Sequence, residues 1–510
     1  MNFCLKKEDI YAIERKNEDA LKMLKKALAF TFGIGLIANS YCFFNFSPTV
    51  DSTMLVNEEG LWNLSLGRFV IPAYLAIRSK ITIPWVIGCL SLFYIALSVY
   101  CVCSILKMKS TPEIALVSGV FTVNVSLADN FAAYLHTADF YMFALLLSCL
   151  GVYFLKFNFR FGVLWAAICF VGVLGIYQSY ISVSAGLITL SVISSLLEKE
   201  EWGRIFGYVK KAILSVIISA PLYLLTVKGT QLLFHVEPAS SQNGIEQIFS
   251  RTPKELLLFI PETYRTLFRA LACPYNYTGN LLGIIDVILI ICAITMGIVL
   301  LRKSKAGMAL FVIGVATFPC ITSIAVILSL GTSNHMLMYY PYQLVFVAVI
   351  LVAKHFCAKR NNYVPGIVVV ALILANLFIN GIVINGAYTQ KEVVYESTII
   401  ECANILRDIE KIPDYEEGIT PVVFVGDFNS SYLNGNRPGL KAYDEWTGFA
   451  GSAVTYHGTF SHMARNILGH SINLIEEELD DSLVKDMPQY PNPGYCIYDG
   501  EKVIVKIADE

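Results

Sequence analysis

The run LLGIIDVILIICAITMGIVLL, residues 281–301, is apolar except for one aspartate and one threonine. An α-helix rises about 1.5 Å per residue, so a helix of this length spans the hydrocarbon core of a bilayer, which is about 30 Å thick. The composition of the whole chain agrees, because 55% of its residues are hydrophobic and only 15% are charged. The sequence therefore predicts a polytopic α-helical membrane protein.

Similar apolar runs continue on both sides of this stretch and predict about eleven transmembrane helices. They fall at residues 27–46, 83–104, 113–128, 139–156, 161–177, 181–197, 209–227, 281–301, 307–329, 339–353 and 364–384.

The basic residues predict the orientation of these spans, because Lys and Arg near span ends are retained on the cytoplasmic side. With the N-terminus in the cytoplasm, the segments between spans on that side carry nearly all the clustered bases, whereas the short outer loops 129–138, 178–180 and 331–338 carry none. An odd number of spans then places residues 385–510 on the extracytoplasmic side.

The chain divides into three predicted regions. Residues 1–26 form a charged, amphipathic cytoplasmic segment, and residues 27–384 form the transmembrane domain. Residues 385–510 carry 21 acidic and 9 basic residues, and their patterns predict a helix at 391–412, a strand at 421–426 and a hairpin at 495–507 that turns at Asp499-Gly500. We expect a small extracytoplasmic α/β domain.

Three carboxylates, Asp51, Asp129 and Asp139, are predicted in short loops at the outer ends of spans. Asp51 shares the first outer loop with Arg68 of the stretch Gly67-Arg-Phe69. A transferase needs a carboxylate to accept the proton of an acceptor hydroxyl and a cation beside a phosphate leaving group, and these two residues would suffice. The alternative is that Asp51 caps the next short helix and Arg68 snorkels to lipid headgroups.

Asp129 and Asp139 lie within about ten residues of each other with no base between them. Unpaired acids at this place attract a cation, a substrate or a metal, so both are candidate catalytic residues. Asp139 alone is also compatible with an ordinary helix N-cap.

The segment Tyr177-Gln178-Ser179-Tyr180 joins two spans with almost no loop, which predicts that these side chains lie at the outer surface of the bundle. Tyr177, Gln178 and Tyr180 suit sugar hydroxyls, by stacking and hydrogen bonding. Tyrosines at this position are also common in the aromatic belt of membrane proteins.

Weaker candidates lie further along the chain. The outer loop 228–280 carries Arg251, Lys254, Arg265 and Arg269, which could bind a phosphate headgroup, although a solvated amphipathic helix is the more common explanation of such bases. His335 precedes the tenth span and is either a ligand or a belt residue, whereas Asp286 lies inside the eighth span, where an acid is a functional candidate by default.

Taken in this order, the residues resemble the serotype-converting phage glucosyltransferases that modify bacterial O-antigen, a family of the multi-spanning GT-C class. The resemblance rests on Asp51 after the first span, Gly67-Arg68-Phe69, Tyr177-Gln178-Ser179, and Met487-Pro-Gln-Tyr-Pro491 before Val503-Ile-Val-Lys506. The chain departs from the family pattern at one place. A second basic residue would follow closely after the first acid, but this chain has Ser52-Thr-Met54 and then Glu58-Glu59.

The resemblance implies an inverting hexosyltransferase with Asp51 as general base. It implies a polyprenyl-phosphate donor carrying glucose, a cell-surface glycan as acceptor, and no required cofactor, with at most weak dependence on a divalent cation. It also implies, as partners, a small flippase and the glycosyltransferase that makes the donor; nothing in the sequence predicts binding of nucleic acid.

Two other classes of function remain open at the level of sequence. A transporter of lipid-linked polysaccharide would usually show repeated halves and polar groups at the bilayer midplane, whereas the acids here collect at one surface. A glycan polymerase or ligase, which transfers a whole chain from a lipid diphosphate, would use the basic loop 228–280.

Overall fold

The computed structural model describes residues 7–49, 53, 55–57, 60–157, 159–239, 252–272, 281–328, 336–426, 428, 453–477, 479 and 484–508. Helices dominate these residues, and they are, in chain order, α1 Lys7–Phe44, α2 Gly60–Ser65, α3 Val70–Arg78, α4 Pro84–Ile105, α5 Thr111–Thr122, α6 Val125–Ala133, α7 Ala138–Lys156, α8 Gly162–Leu174, α9 Ile181–Leu197, α10 Trp202–Phe234, α11 Pro253–Ala272, α12 Leu281–Leu301, α13 Lys305–Thr322, α14 Ile324–Leu328, α15 Gln343–Arg360, α16 Val364–Glu410 and α17 His457–Met463. Short 3-10 helices lie at Leu135–Thr137, Gln178–Tyr180 and Met336–Tyr342.

Nine of the helices in these ranges are long and apolar enough to cross a membrane, and the pair α5 and α6, bent by 45° at its break, would make a tenth. The apolar helix α8, with 13 residues, is shorter. The polytopic helical membrane fold predicted from the sequence is confirmed, and the prediction of about eleven spans is reached only if both the bent pair and α8 are counted.

Small residues set the close approach of α1 and α4. A Cβ atom added to Gly88 would lie 2.6 Å from the ring of Phe43, and one added to Gly35 would lie 2.5 Å from Leu92. Phe43 also packs edge-on against Phe131 of α6, with ring centroids 4.8 Å apart. Membrane helices associate mainly through packing, so these contacts position the N-terminal helices around α7, the most buried of the candidate spans.

The four strands form a small sheet near the C-terminus. They are β1 Pro421–Val425, β2 Asn473–Leu474, β3 Cys496–Tyr498 and β4 Val503–Lys506, in the order β2-β1-β4-β3. β1 is parallel to β2 and β4, and β3 is antiparallel to β4. The predicted hairpin is confirmed, because the Asp499 carboxylate accepts the backbone N–H groups of Glu501 and Lys502 at 2.9 Å across its turn.

The longest helix, α16, connects the bundle to this sheet. It runs unbroken from Val364 to Glu410, so the predicted boundary at residue 385 lies inside it, and the predicted span 364–384 and helix 391–412 are one element. The side chains of Cys402, Ile405 and Ile409 on its last turns are buried in the core of the C-terminal α/β unit.

We predict that Gly88→Ala lowers the stability of the folded protein by about 1–3 kcal/mol, because its Cβ would press into the ring of Phe43 and overpacking has this cost. The measurement is the midpoint of thermal denaturation in detergent. Gly33→Ala on α1 is the matched control, since a Cβ there meets nothing within 4 Å. Equal stability of the two variants would contradict this account of the α1–α4 contact.

Candidate active site

Two segments singled out in the sequence, Gly67-Arg-Phe69 and Tyr177-Gln-Ser-Tyr180, meet in the structure. The amide Nε2 of Gln178 donates to the carbonyl of Leu66 at 3.2 Å. The backbone N–H of Val70 donates to the carbonyl of Gly175 at 3.0 Å, and the ring of Phe69 packs directly on Gly175. The first loop and the α8–α9 connection therefore form one unit.

Arg68 lies at the centre of this unit. Its guanidinium carbon lies 5.1 Å from the centre of the Tyr177 ring, a cation–π contact. Its Nε is buried and has no hydrogen-bond acceptor in the described part of the chain. This half-buried guanidinium can bind an anion, because its N–H groups match the oxygens of a carboxylate or a phosphate and its Nε has no acceptor among the described residues.

A chain of tyrosines extends from Arg68 into the bundle. The Tyr177 ring contacts Tyr141 with centroids 4.7 Å apart, and Tyr180 stacks between Tyr141 and Tyr340 at 6.3 and 5.9 Å. The prediction that these tyrosines lie at the bundle surface is wrong, because Tyr177 is 9% and Tyr180 1% exposed. The short connection between α8 and α9 folds into the bundle and packs against the inner side of the site. Of its residues 177–180, Gln178 alone is partly exposed.

Asp129 lies in helix α6, and not in the loop that the sequence predicted, because the chain resumes a helix after the break at Val123. It is 3% exposed, and one carboxylate oxygen accepts the backbone N–H of Leu337 at 2.9 Å. The other oxygen has no donor among the described residues. This bond fixes α6 against the Met336–Tyr342 segment.

A lysine from the distant α16 supplies the positive charge near Asp129. Lys391 is 5% exposed, interacts electrostatically with Asp129, and donates its ammonium N–H to the carbonyl of Ala132. A buried carboxylate is costly unless a partner offsets its charge, so the two residues depend on each other. Sequence reasoning missed Lys391, which lies 262 positions beyond Asp129 and looks like part of the amphipathic tail.

Asp139 forms a second, closed cluster, and the expectation that it is unpaired is wrong. Its carboxylate lies 3.0 Å from Nε of Arg78 on α3, and both side chains are almost fully buried. Tyr74 donates its hydroxyl to the same carboxylate at 3.1 Å. Burial and this carboxylate raise the pKa of Tyr74 well above its usual range, so Tyr74 remains a donor.

Arg78 extends this cluster by donating to the carbonyls of His136 and Ile81, both at 2.8 Å. The cluster joins α3 to the start of α7 through one carboxylate oxygen of Asp139, Oδ2, while the buried Oδ1 has no hydrogen-bond partner among the described residues. Asp139 is not the N-cap of α7, which is Thr137.

One further predicted site residue, Arg265, does not join this constellation. Arg265 on α11 is exposed and lies 3.5 Å from Glu262 of the same helix. Asp51 and His335 lie outside the described residues. Of the described neighbours of Asp51, Thr49 donates its hydroxyl to the carbonyl of Ala133 at 2.7 Å. Among the described residues, no group of three or more His, Cys, Asp or Glu side chains could hold a metal ion.

The C-terminal unit contacts the first outer loop, which also carries Arg68. The amide Nδ2 of Asn466 donates to the carbonyl of Thr53 at 3.1 Å, so the residues after β1 contact the first loop.

We predict strong coupling between Arg78 and Asp139. Arg78→Met alone leaves the buried Asp139 carboxylate without its counter-charge, and Asp139→Asn alone leaves the buried Arg78 guanidinium without one. Each variant should lose about 3–5 kcal/mol of unfolding free energy. The double variant should recover much of that loss, because neither charge is then buried. Thermal denaturation of all four proteins measures the coupling, and additive losses would contradict a buried ion pair.

Comparison with known proteins supplies the context for this geometry. No curated protein sequence matches the chain. A family model described as glucosyl transferase GtrII matches residues 40–352, more than half of the chain. This stretch contains Arg68, Asp129, Asp139 and the Tyr177–Tyr180 segment, whereas Lys391 lies beyond it. The chain therefore belongs to the glucosyl transferase GtrII family, as its resemblance to the serotype-converting glucosyltransferases implies.

Proposed function

We propose that this protein transfers glucose from a polyprenyl-phosphate donor to a cell-surface glycan, with inversion, on the extracytoplasmic face of a bacterial inner membrane. The glucosyl transferase family supports the transfer of a glucosyl group. The choice of donor rests on Arg68, whose half-buried guanidinium packs on Tyr177 and whose Nε has no acceptor among the described residues.

The reaction requires a leaving group that departs with negative charge. The acceptor oxygen attacks C1 of the sugar, the bond from C1 to the phosphate oxygen breaks, and polyprenyl phosphate leaves with the bonding electrons. Arg68 would stabilise this charge, and its contact with Tyr177 holds it in place before the donor arrives. A fixed guanidinium can do this without a divalent cation.

The proton of the acceptor hydroxyl must go to a base, and we assign this role to Asp51. The described residues on either side of it support the assignment: Thr49 is bonded to the end of α6, which carries Asp129, and Thr53 is bonded to Asn466. Asp129, one of whose carboxylate oxygens has no donor in the described part of the chain, would orient sugar hydroxyls. Asp139 would act indirectly, by holding α3 and α7 together.

The charge at the opposite end of the bundle supports the proposed orientation. Helices α7, α9 and α15 each begin near the site and end close to lysines. There Lys107 lies 3.4 Å from Glu200, and Lys354 donates to the carbonyl of Lys107 at 2.5 Å. Bases collected at one end favour the cytoplasm for that end, so the candidate site would face outward, where lipid-linked sugars and not nucleotide sugars are available.

The proposed partners follow from this location. A donor that is made in the cytoplasm must cross the membrane before use, which calls for a flippase and a donor-synthesising glycosyltransferase. The acidic C-terminal unit would contact the acceptor glycan, and the hydrogen bond from Asn466 to the first loop supports this assignment.

The experiment that tests the function uses the purified full chain in nanodiscs with polyprenyl-phosphate glucose and envelope glycan, and follows transfer by mass spectrometry. UDP-glucose replaces the lipid donor in a parallel reaction. Transfer from the lipid donor alone is expected; transfer only from UDP-glucose would overturn the proposal, as would the absence of any transfer by a folded protein.

We predict that Arg68→Ala lowers kcat/KM by about 10²–10³-fold, the range found when one donor to a developing negative charge is removed. Arg68→Lys should recover only part of the activity, because an ammonium cannot reproduce the planar fork of donors. Steady-state kinetics with varied donor concentration measures both. Arg204→Ala is the control, since Arg204 is exposed and pairs only weakly with Glu201 at 3.7 Å. Unchanged donor kinetics in Arg68→Ala would remove this residue from phosphate binding.

We predict that Asp51→Asn lowers kcat by about 10²–10⁴-fold, the contribution of a positioned general base, while donor binding remains near normal. Transfer rates and binding of labelled donor are measured on the same preparation. Asp414→Asn, at an exposed acid of the tail, serves as the control. If Asp51→Asn retained full activity and Asp129→Asn did not, the role of base would pass to Asp129.

A further inference from the structure

A carboxylate lies inside the most apolar of the candidate membrane spans. Asp286 is the sixth residue of α12, is the one ionisable acid in that helix, and is 3% exposed. The mechanism proposed above does not use it. An acid at such a position is costly and requires a partner.

The partners that the structure shows are all neutral. Asn376 of α16 donates its amide Nδ2 to one carboxylate oxygen of Asp286 at 2.6 Å. Asn380, one turn further along α16, donates to the side-chain oxygen of Asn376 at 3.1 Å. The second carboxylate oxygen of Asp286 has no donor among the described residues. One amide hydrogen bond does not offset a negative charge, so burial favours the ionised form of this carboxylate only when a cation lies beside it.

This carboxylate lines a cavity of about 60 Å³. A buried water needs about 10–15 Å³ measured in this way, so the cavity holds roughly four to six. Its described lining contains no Lys, Arg or His, and the residues with polar side chains are Asn124, Ser126, Asp286, Tyr339, Tyr342, Gln343, Asn376 and Asn380.

Several of these side chains have oxygen atoms available to a ligand. Within the described residues, the side chains of Ser126, Gln343 and Tyr339 make no hydrogen bond, although Ser126 is only 4% exposed. Together with the free oxygen of Asp286 they form a set of hard oxygen donors around one negative charge. Oxygen atoms of this kind bind hard cations.

A purely structural role explains these observations less well. Polar residues do join membrane helices by hydrogen bonds, and the Asn376 contact has this character. A second asparagine in place of Asp286 would join the helices equally and avoid the buried charge, and such a joint requires no cavity. The Asp286 oxygen without a donor among the described residues, together with the polar cavity that Asp286 lines, indicates a ligand site.

We propose that Asp286 and the surrounding oxygens form a binding site for one monovalent inorganic cation of the Na⁺ class. A single carboxylate balances a single positive charge, whereas a divalent ion would leave excess charge in an apolar span. The site joins α6, α12, α15 and α16, since Ser126, Asp286, Gln343 and Asn376 come from these four helices.

Occupancy of this site would also position Asp129. Ser126 lies one helical turn before Asp129 on α6, and Met336, which lines the cavity, precedes the Leu337 amide that binds the Asp129 carboxylate. A bound cation would therefore hold in place both the α6 side and the Met336–Tyr342 side of the Asp129–Leu337 hydrogen bond.

The test measures thermal denaturation of the purified full chain in detergent, with NaCl, LiCl, KCl or N-methyl-D-glucamine chloride at equal ionic strength. We expect at least one of the three alkali cations to raise the midpoint saturably by about 2–4 °C over N-methyl-D-glucamine. Asp286→Asn should lose this increment, whatever its own stability. Glu396→Gln, which removes an exposed acid from α16, should retain it.

A second variant keeps the test valid if Asp286→Asn misfolds. Ser126→Ala should raise the half-saturating cation concentration several-fold and leave the maximal rise in the denaturation midpoint unchanged. Equal midpoints in all four salts, or an increment that persists in Asp286→Asn, would overturn the proposal. Stabilisation by Mg²⁺ or Ca²⁺ and not by alkali cations would overturn its monovalent character. None of these readouts depends on sugar transfer, so they stand apart from the proposed function.

Discussion

A charge inside a bundle of membrane helices must be offset within the protein, because hydrocarbon offers neither water nor counterions. Much of the candidate site follows from this constraint. Asp139 is offset by Arg78, and Asp129 by the Leu337 amide and by Lys391. Each of these contacts joins elements that are far apart in sequence. The charges therefore fix α3 against α7 and α6 against both α16 and the Met336–Tyr342 segment.

The same constraint explains which parts of the structure could be predicted from sequence. A transmembrane span is a local property, so the run 281–301 matches α12 at both ends. The partner of a buried acid is not local. Arg78 lies 61 positions before Asp139, and no spacing rule links them. The chain around Asp139 shows no base, and the sequence therefore indicates an unpaired acid where the structure has an ion pair.

The course of the backbone at the site was also beyond sequence reasoning. The run 113–128 looks like one span, but its polar end at Asn124 caps a new helix by accepting the backbone N–H of Leu127 at 2.9 Å. The chain bends there by 45° and carries Asp129 into the bundle. The order of Gly67-Arg-Phe69 and Tyr177–Tyr180 indicated the family, whereas their contact through Gln178 became evident only in the fold.

The distribution of charge also bears on the competing functions. The guanidinium of Arg68 packs on an aromatic ring, and its Nε has no acceptor among the described residues, whereas Arg265, one of the bases in the loop that a polymerase would use, is exposed and lies beside Glu262. A flexible, solvated arginine contributes little to recognising a diphosphate before it is desolvated. A transporter would use polar groups at the midplane, whereas Asp286 is the sixth of the 21 residues of α12 and so lies near one end of that span. The Asp286 cavity is lined by Ser126, one turn before Asp129, and by Met336, next to Leu337, and this favours a role in supporting the Asp129–Leu337 hydrogen bond.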